Sequence, residues 1–230
     1  MTTDRKTLED IRNQYEALGY KGELLEQLVD KLNITNTSDI LEAKMFTCFK
    51  SSPVGGDKTE WREGHQKSAF NYILIDPRVT QNLPARARSQ NLNPSEIFRI
   101  FVQAIFYIGK GSRARPYAHL YDSLKDWKNN SAEIKSKKIK RIIHIWNDNQ
   151  GVVSLHCFQS VIPSEAYTRE AAMIDAIGLE KLTNMKKGNY YGEAKEWDMK
   201  RKRQFGVILL RLACAIFLAE GERQITPNDI

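Results

Sequence analysis

The sequence predicts an α+β protein in which a small sheet is flanked by helices, and three observations lead there. "FNYILID" (70–76), "AIFYIG" (104–109) and "GVVSLHCFQSVI" (151–162) are short runs dense in β-branched and aromatic residues, the mark of strands. The segments between them space their apolar residues at helical intervals. A last apolar stretch, "FGVILLRLACAIFLA" (205–219), is about five residues short of a bilayer span and holds Arg211, so it reads as a buried helix with no membrane span. Three strands with long connections fit a layered domain, and pattern alone leaves the sheet order open.

In chain order, residues 7–19 place Leu8, Ile11, Tyr15 and Leu18 on one helical face, between a Thr7 cap and a Gly19 stop. Residues 22–32 add a second short amphipathic helix. Residues 50–67 are polar and rich in Gly and Ser, a linker that puts a boundary near residue 66. The first strand ends at Pro77. Residues 77–93 show no period and read as a loop. "NPSEIFRIFVQ" (93–103) starts a helix with Asn93 as cap and Pro94 in its first turn. After the second strand, "GKGS" reads as a turn, followed by helices at about 114–127 and 132–146. A helix over 164–178 turns Ala166, Met173, Ile174 and Ile177 inward and stops at Gly178, and the last helix covers about 195–219.

The composition is globular: of 230 residues, 41% are apolar and 27% charged, enough to bury a core without staples. Lys and Arg number 35 against 28 Asp and Glu, a net charge of +7, which suggests an anionic partner, nucleic acid first. Cys48, Cys157 and Cys214 are scattered with no CxxC, and His65, His119, His144 and His156 show no metal-ligand spacing. Reduced thiols imply an intracellular protein, in nucleus or cytoplasm, and "MTTDRKTLED" is no signal peptide.

The chemistry concentrates in "AIFYIGKGSRARPYAHL" (104–120). Phosphodiester hydrolysis needs a water and a base to take its proton, positive charge on the developing phosphorane, and a proton or metal for the leaving oxygen. On a helix from 114, Arg115 and His119 share a face. Arg115 can fork onto two phosphate oxygens, and His119 can move a proton near neutral pH. Lys110 sits between the glycines and Arg113 just beyond them. Lys138 and Lys140 in "KSKKIKR", Lys186 with Lys187, and "KRKR" (200–203) could hold a duplex by its phosphates without reading its sequence.

These residues resemble the GIY-YIG nuclease superfamily. Tyr107-Ile108-Gly109 is an intact second half-motif, and "FNY" keeps only Tyr72 of the first. Lys110 fits the family lysine, Arg115 and His119 its arginine and histidine, Glu170 in "AYTREAAMI" its helical glutamate, and Asn184 its asparagine. "ILIDPR", "LPARA", "EAYTREA" and "FLAEGERQ" look like the animal endonucleases that join ankyrin repeats, a LEM domain and a C-terminal GIY-YIG domain. The resemblance implies a three-stranded, mainly antiparallel GIY-YIG sheet over residues 66–190, an extension over 1–65, and a helical extension over 191–230 packing on the nuclease. Residues 7–45 have the two-helix look and "ALGY" turn of a LEM domain but lack its Gly-Pro-Ile and Thr-Arg elements, so a degenerate LEM-like module with a chromatin partner and a plain helical extension both stay open.

By that resemblance the protein is a metal-dependent endonuclease acting on branched, flapped or bridging DNA in genome maintenance. Tyr72, Tyr107, Lys110, Arg115, His119 and Glu170 would be catalytic, with Glu170 binding one Mg²⁺ or Mn²⁺. Arg113, Asn184, Lys138 and Lys140 would meet the substrate. Either tyrosine could be the base, Tyr72 preferred, with Lys110 and Arg115 expected to lower its pKa. The rival reading is a non-catalytic DNA or chromatin adaptor with a retired nuclease fold. The two tyrosines lie 35 positions apart, and the inserted stretch, about 77–102, with Arg78, Arg86, Arg88 and Arg99, serves either DNA contact or scaffold.

Overall fold

The structure, a computed structural model, describes residues 62–112, 114–129 and 136–230. The two N-terminal helices, the LEM-like reading of 7–45, most of the linker, and Arg113 lie outside the described residues.

Four strands form one antiparallel sheet: β1 (Ala69–Ile75), β2 (Ile105–Ser112), β3 (Val152–Val161) and β4 (Gln224–Ile225), in the order β2-β1-β3-β4. The sheet is therefore four-stranded rather than three-stranded. β4 is two residues long, too short to show any alternation, and it exists because Val152 and Val153 offer it a pairing edge.

"GKGS" is not a turn. Gly109, Lys110, Gly111 and Ser112 continue β2 and pair with Tyr72, Asn71, Phe70 and Ala69. A Cβ on Gly109 would lie 2.5 Å from Tyr72 Cζ, and one on Gly111 would lie 3.2 Å from Phe70 Cζ. The glycines leave room for two aromatic rings lying across the neighbouring strand. Such close approach is a second use of strand glycine besides chain reversal.

Residues 77–93 also depart from expectation. They form two short helices, α1 (Pro77–Thr80) and α2 (Leu83–Ser89), before α3 (Pro94–Ala104). Helices this short leave no readable period. Asp76, 1% exposed, caps α1 by accepting from the Arg78 backbone N–H at 3.1 Å. Its carboxylate also takes the Arg78 guanidinium at 2.9 and 2.6 Å and that of Arg141 at 2.7 Å. Burial pushes the Asp76 pKa up, but the Arg78 hydrogen bonds and the Arg141 charge outweigh it and hold the carboxyl below the usual range. Arg78 goes on to Asp148, so within the insertion this arginine is scaffold. Asn93 caps α3 as its side chain accepts from Ser95 N–H at 2.8 Å.

Helices cover both faces of the sheet. On one face, α4 (Arg115–Lys128) and α5 (Lys137–Asn147) lay Leu120, Ile142, Ile145 and Trp146 on Tyr72, Leu74 and Val152. On the other, α6 (Pro163–Ile177) packs on β1, β2 and β3, and the Asn71 amide donates to Ala166 O at 2.9 Å. α7 (Met199–Glu220) backs α6. The two helices approach so closely that a Cβ on Gly206 would sit 2.0 Å from the Ala172 carbonyl oxygen. The apolar run is the buried side of α7, from Phe205 to Phe217. Among the described residues no helix is long and apolar enough to cross a membrane.

Candidate active site

β2 is an edge strand, and an edge strand must satisfy every second backbone group without a partner strand. The chain after α6 does this. Phe106 O accepts from the backbone N–H and the hydroxyl of Thr183, at 2.7 and 2.8 Å. Asn184 then stands in for a strand: its Oδ1 accepts from Ile108 N–H at 3.1 Å and its Nδ2 donates to Ile108 O at 2.7 Å. Two residues on, the Lys110 N–H donates to the carboxylate of Glu170, which α6 brings to the same edge. Asn184 thus clamps the Tyr-Ile-Gly segment and spends its amide on the backbone.

From the opposite face, Tyr72 and Tyr107 approach the edge side by side, ring centroids 5.9 Å apart. Tyr72 is held by its burial and by Gly109 beneath it. Its hydroxyl lies 2.8 Å from Nε2 of His119, which helix α4 projects one turn beyond Arg115. Lys138, from α5, brings its Nζ to 3.0 Å from the same Nε2 and 4.0 Å above the Tyr107 ring. A cleft of about 330 Å³ opens along the edge, lined by Tyr107, Lys138, Glu170, Asn184, Lys186 and Lys187 among others.

Burial governs the electrostatics. It pushes the Glu170 carboxyl up to about 7, against the Lys110 N–H and the charges of Lys110, Arg115 and Arg62. Burial also raises both tyrosines, with Tyr107 and Glu170 adding to the rise at Tyr72 and Arg115 only partly opposing it. The expected lowering by Lys110 and Arg115 is thus overturned: desolvation of a phenolate between two helices and a sheet outweighs one solvent-facing guanidinium. His119 falls to about 4 through burial, then the charges of Lys138 and Arg115, so its imidazole is neutral at pH 7.

The candidate residues divide accordingly. Tyr72, Tyr107, His119, Lys138, Glu170 and Asn184 converge on the β2 edge. Arg115 opens α4 beside them, is exposed, and makes no hydrogen bond or ion pair among the described residues. Lys110 reaches the edge through its backbone, but its ammonium pairs with Glu63 and lies 4.6 Å over the Tyr167 ring. Lys140 is exposed on α5. Three residues in this region carried no sequence signal. Glu63 binds Lys110 and accepts from the Tyr167 hydroxyl at 2.5 Å, and Arg62 stacks on Tyr167 at 4.5 Å. Glu63 and Arg62 sit in what reads as linker, and Tyr167 falls in the helix read over 164–178 without being singled out there.

Among the described residues no three His, Cys, Asp or Glu side chains cluster to hold a metal ion. The edge offers one carboxylate, Glu170, in a cleft where burial makes its charge costly. That donor fits a hard divalent cation held by one carboxylate, waters and a substrate phosphate, and does not fit an all-protein cage.

The chain is similar to ankyrin repeat and LEM domain-containing protein 1 of mouse, 43% identical over 226 residues, covering 98% of the chain and 41% of the relative. The human protein of the same name is 51% identical over 172 residues, covering 74% of the chain and 28% of the relative. The homolog from Caenorhabditis elegans is 33% identical over 168 residues, covering 73% and 23%. The chain spans less than half the length of these relatives. No solved structure matches. The model of the LEM-3-like GIY-YIG domain matches residues 69–230, from the first residue of β1 onward, and the chain belongs to that family of nuclease domains.

Proposed function

We propose that the protein is a metal-dependent DNA endonuclease that hydrolyses phosphodiester bonds in branched or bridging DNA, in genome maintenance. The observation that carries this reading is the convergence at one strand edge. Two tyrosines, a neutral histidine and a lysine come from one face of the sheet, and a buried carboxylate comes from the other. A strand edge clamped by Asn184 holds such a constellation more rigidly than a loop does.

Arg115 presents an exposed guanidinium to the scissile phosphate, and Lys186 and Lys187 line the cleft along which the strand would run. Tyr72 takes the proton of the attacking water. At rest burial keeps its own proton on, so that proton must leave first, and one acceptor, Nε2 of His119, lies at 2.8 Å. A divalent cation on Glu170 would neutralise charge on the phosphate and on the leaving oxygen. Among the described residues no motif reads base edges, which favours recognition of DNA shape over sequence.

The test is cleavage of end-labelled splayed-arm and linear duplexes, with Mg²⁺, with Mn²⁺ and with chelator, at moderate salt. Metal-dependent cutting near the branch with the linear duplex spared is the expected result. Tight binding without cutting in either metal would refute the enzyme reading in favour of the adaptor.

A further inference from the structure

We propose that Lys138 is a positioning residue of the reaction centre: its ammonium donates to Nε2 of His119 and so fixes the imidazole tautomer that faces the Tyr72 hydroxyl with no N–H. The role rests on the nuclease reading, but the contact beneath it does not.

The argument is one of hydrogen-bond inventory. Two groups meet a single ring nitrogen, the Tyr72 hydroxyl at 2.8 Å and Lys138 Nζ at 3.0 Å. A hydroxyl can donate or accept. An ammonium has three donors and no lone pair, so it can only donate. With Lys138 charged, Nε2 must be the unprotonated nitrogen and the ring proton sits on Nδ1. The Tyr72 hydroxyl, which also hydrogen-bonds Tyr107, can then receive no hydrogen bond from Nε2. Without Lys138 the other tautomer becomes available, in which Nε2–H donates to the Tyr72 oxygen and blocks the atom that has to take a proton from water.

The surroundings keep Lys138 in this role. Its ammonium rests on the face of Tyr107, a cation–π contact that fixes it laterally. Burial and Arg115 lower its pKa to about 8, while Asp122 works in the other direction, so it remains mostly charged at pH 7. The groups facing the imidazole are Tyr72 from β1, Tyr107 from β2 with its ring edge-on at 5.5 Å, Arg115 on α4 and Lys138 on α5. Lys138 and Arg115 both oppose an imidazolium, which keeps the acceptor neutral well below pH 7. The basic run "KSKKIKR" therefore contains one lysine, Lys138, whose surroundings differ from those of the exposed Lys137 and Lys140.

The experiment compares the full chain with Lys138→Met and Lys138→Arg by ¹⁵N NMR of the histidine rings, assigning His119 by its loss in His119→Gln. The expected wild-type signature is a pyridine-like Nε2 and a protonated Nδ1. K138M should mix the tautomers and raise the His119 midpoint by about one pH unit, as removal of one adjacent like charge does. K138R should keep the wild-type pattern. In cleavage assays, K138M should lower kcat and move the acid limb of the pH profile upward with KM little changed, and K138R should restore part of kcat. An Nε2–H tautomer in the wild type, or an unchanged His119 titration in K138M, would overturn the proposal. So would a K138M defect confined to KM and its salt dependence, the signature of a plain phosphate contact. A wild-type chain that never cuts DNA would instead sink the nuclease reading, while the NMR comparison would still decide the Lys138–His119 link.

Discussion

Replacing Gly109 by alanine tests the construction of the site most directly. The new Cβ would fall 2.5 Å from Tyr72 Cζ, 2.6 Å from its hydroxyl oxygen and 2.7 Å from Cε1. Comfortable carbon contacts begin at about 3.5 Å, so the phenol has to retreat by about 1 Å. Tyr72 is 1% exposed, so the ring can retreat only against its packed neighbours. Overpacking of this kind costs about 1–3 kcal/mol, roughly a 4–8 °C drop in Tm for the middle of that range in a domain of this size. Moving the hydroxyl by 1 Å also stretches its 2.8 Å contact to His119 beyond hydrogen-bond range, and a misplacement of that size lowers a rate by about 10²-fold. Gly111→Ala is the matched control. Its closest contacts would be 3.2 Å to Phe70, a half-buried ring, and 3.3 Å to Tyr72 Cδ1, so a shift of a few tenths of an ångström suffices where G109A needs about 1 Å. Thermal melting and single-turnover cleavage of both variants decide the matter. Wild-type melting and cutting in G109A, or equal damage in G111A, would refute the account of these glycines as ring beds.

Two further outcomes follow from the edge. Glu170 carries a folded-state pKa of about 7 against an ordinary 4.5, so in the metal-free protein it favours folding below pH 4.5 and loses that contribution as pH rises through 7. Glu170→Gln should therefore be more stable than wild type at pH 8, by roughly 3 kcal/mol at most, with no difference at pH 4, while DNA cutting is abolished and binding kept. Equal stability of the two proteins across that range, by urea titration, would show the carboxylate to be better solvated than the structure has it. Asn184→Ala removes both hydrogen bonds to Ile108 and should cost about 1–3 kcal/mol, with faster hydrogen exchange at the Ile108 amide. Unchanged protection of that amide would mean that something else holds the strand.

Much of this protein is legible in the chain alone, where the physics is local. Asn93-Pro94 marks the start of α3 because a cap and a proline act within one turn. β1 and β3 show in their β-branched and aromatic density, and the helix through Met173 and Ile174 shows in its period and its Gly178 stop. Tyr107, Lys110, Arg115, His119, Glu170 and Asn184 stand out because nuclease chemistry repeats these residue types in one order. What the tertiary structure decided is what depends on neighbours far along the chain. Gly109 reads as a turn until Tyr72, 37 positions earlier, is laid over it. Asn184 reads as a substrate contact until the open edge of β2 shows which backbone groups need it. The tyrosines look activated by nearby charge until their burial is known, because desolvation is a property of packing and has no signature in spacing. Lys138 is one of several lysines in a row until α5 folds against the sheet and gives that one ammonium an imidazole to hold.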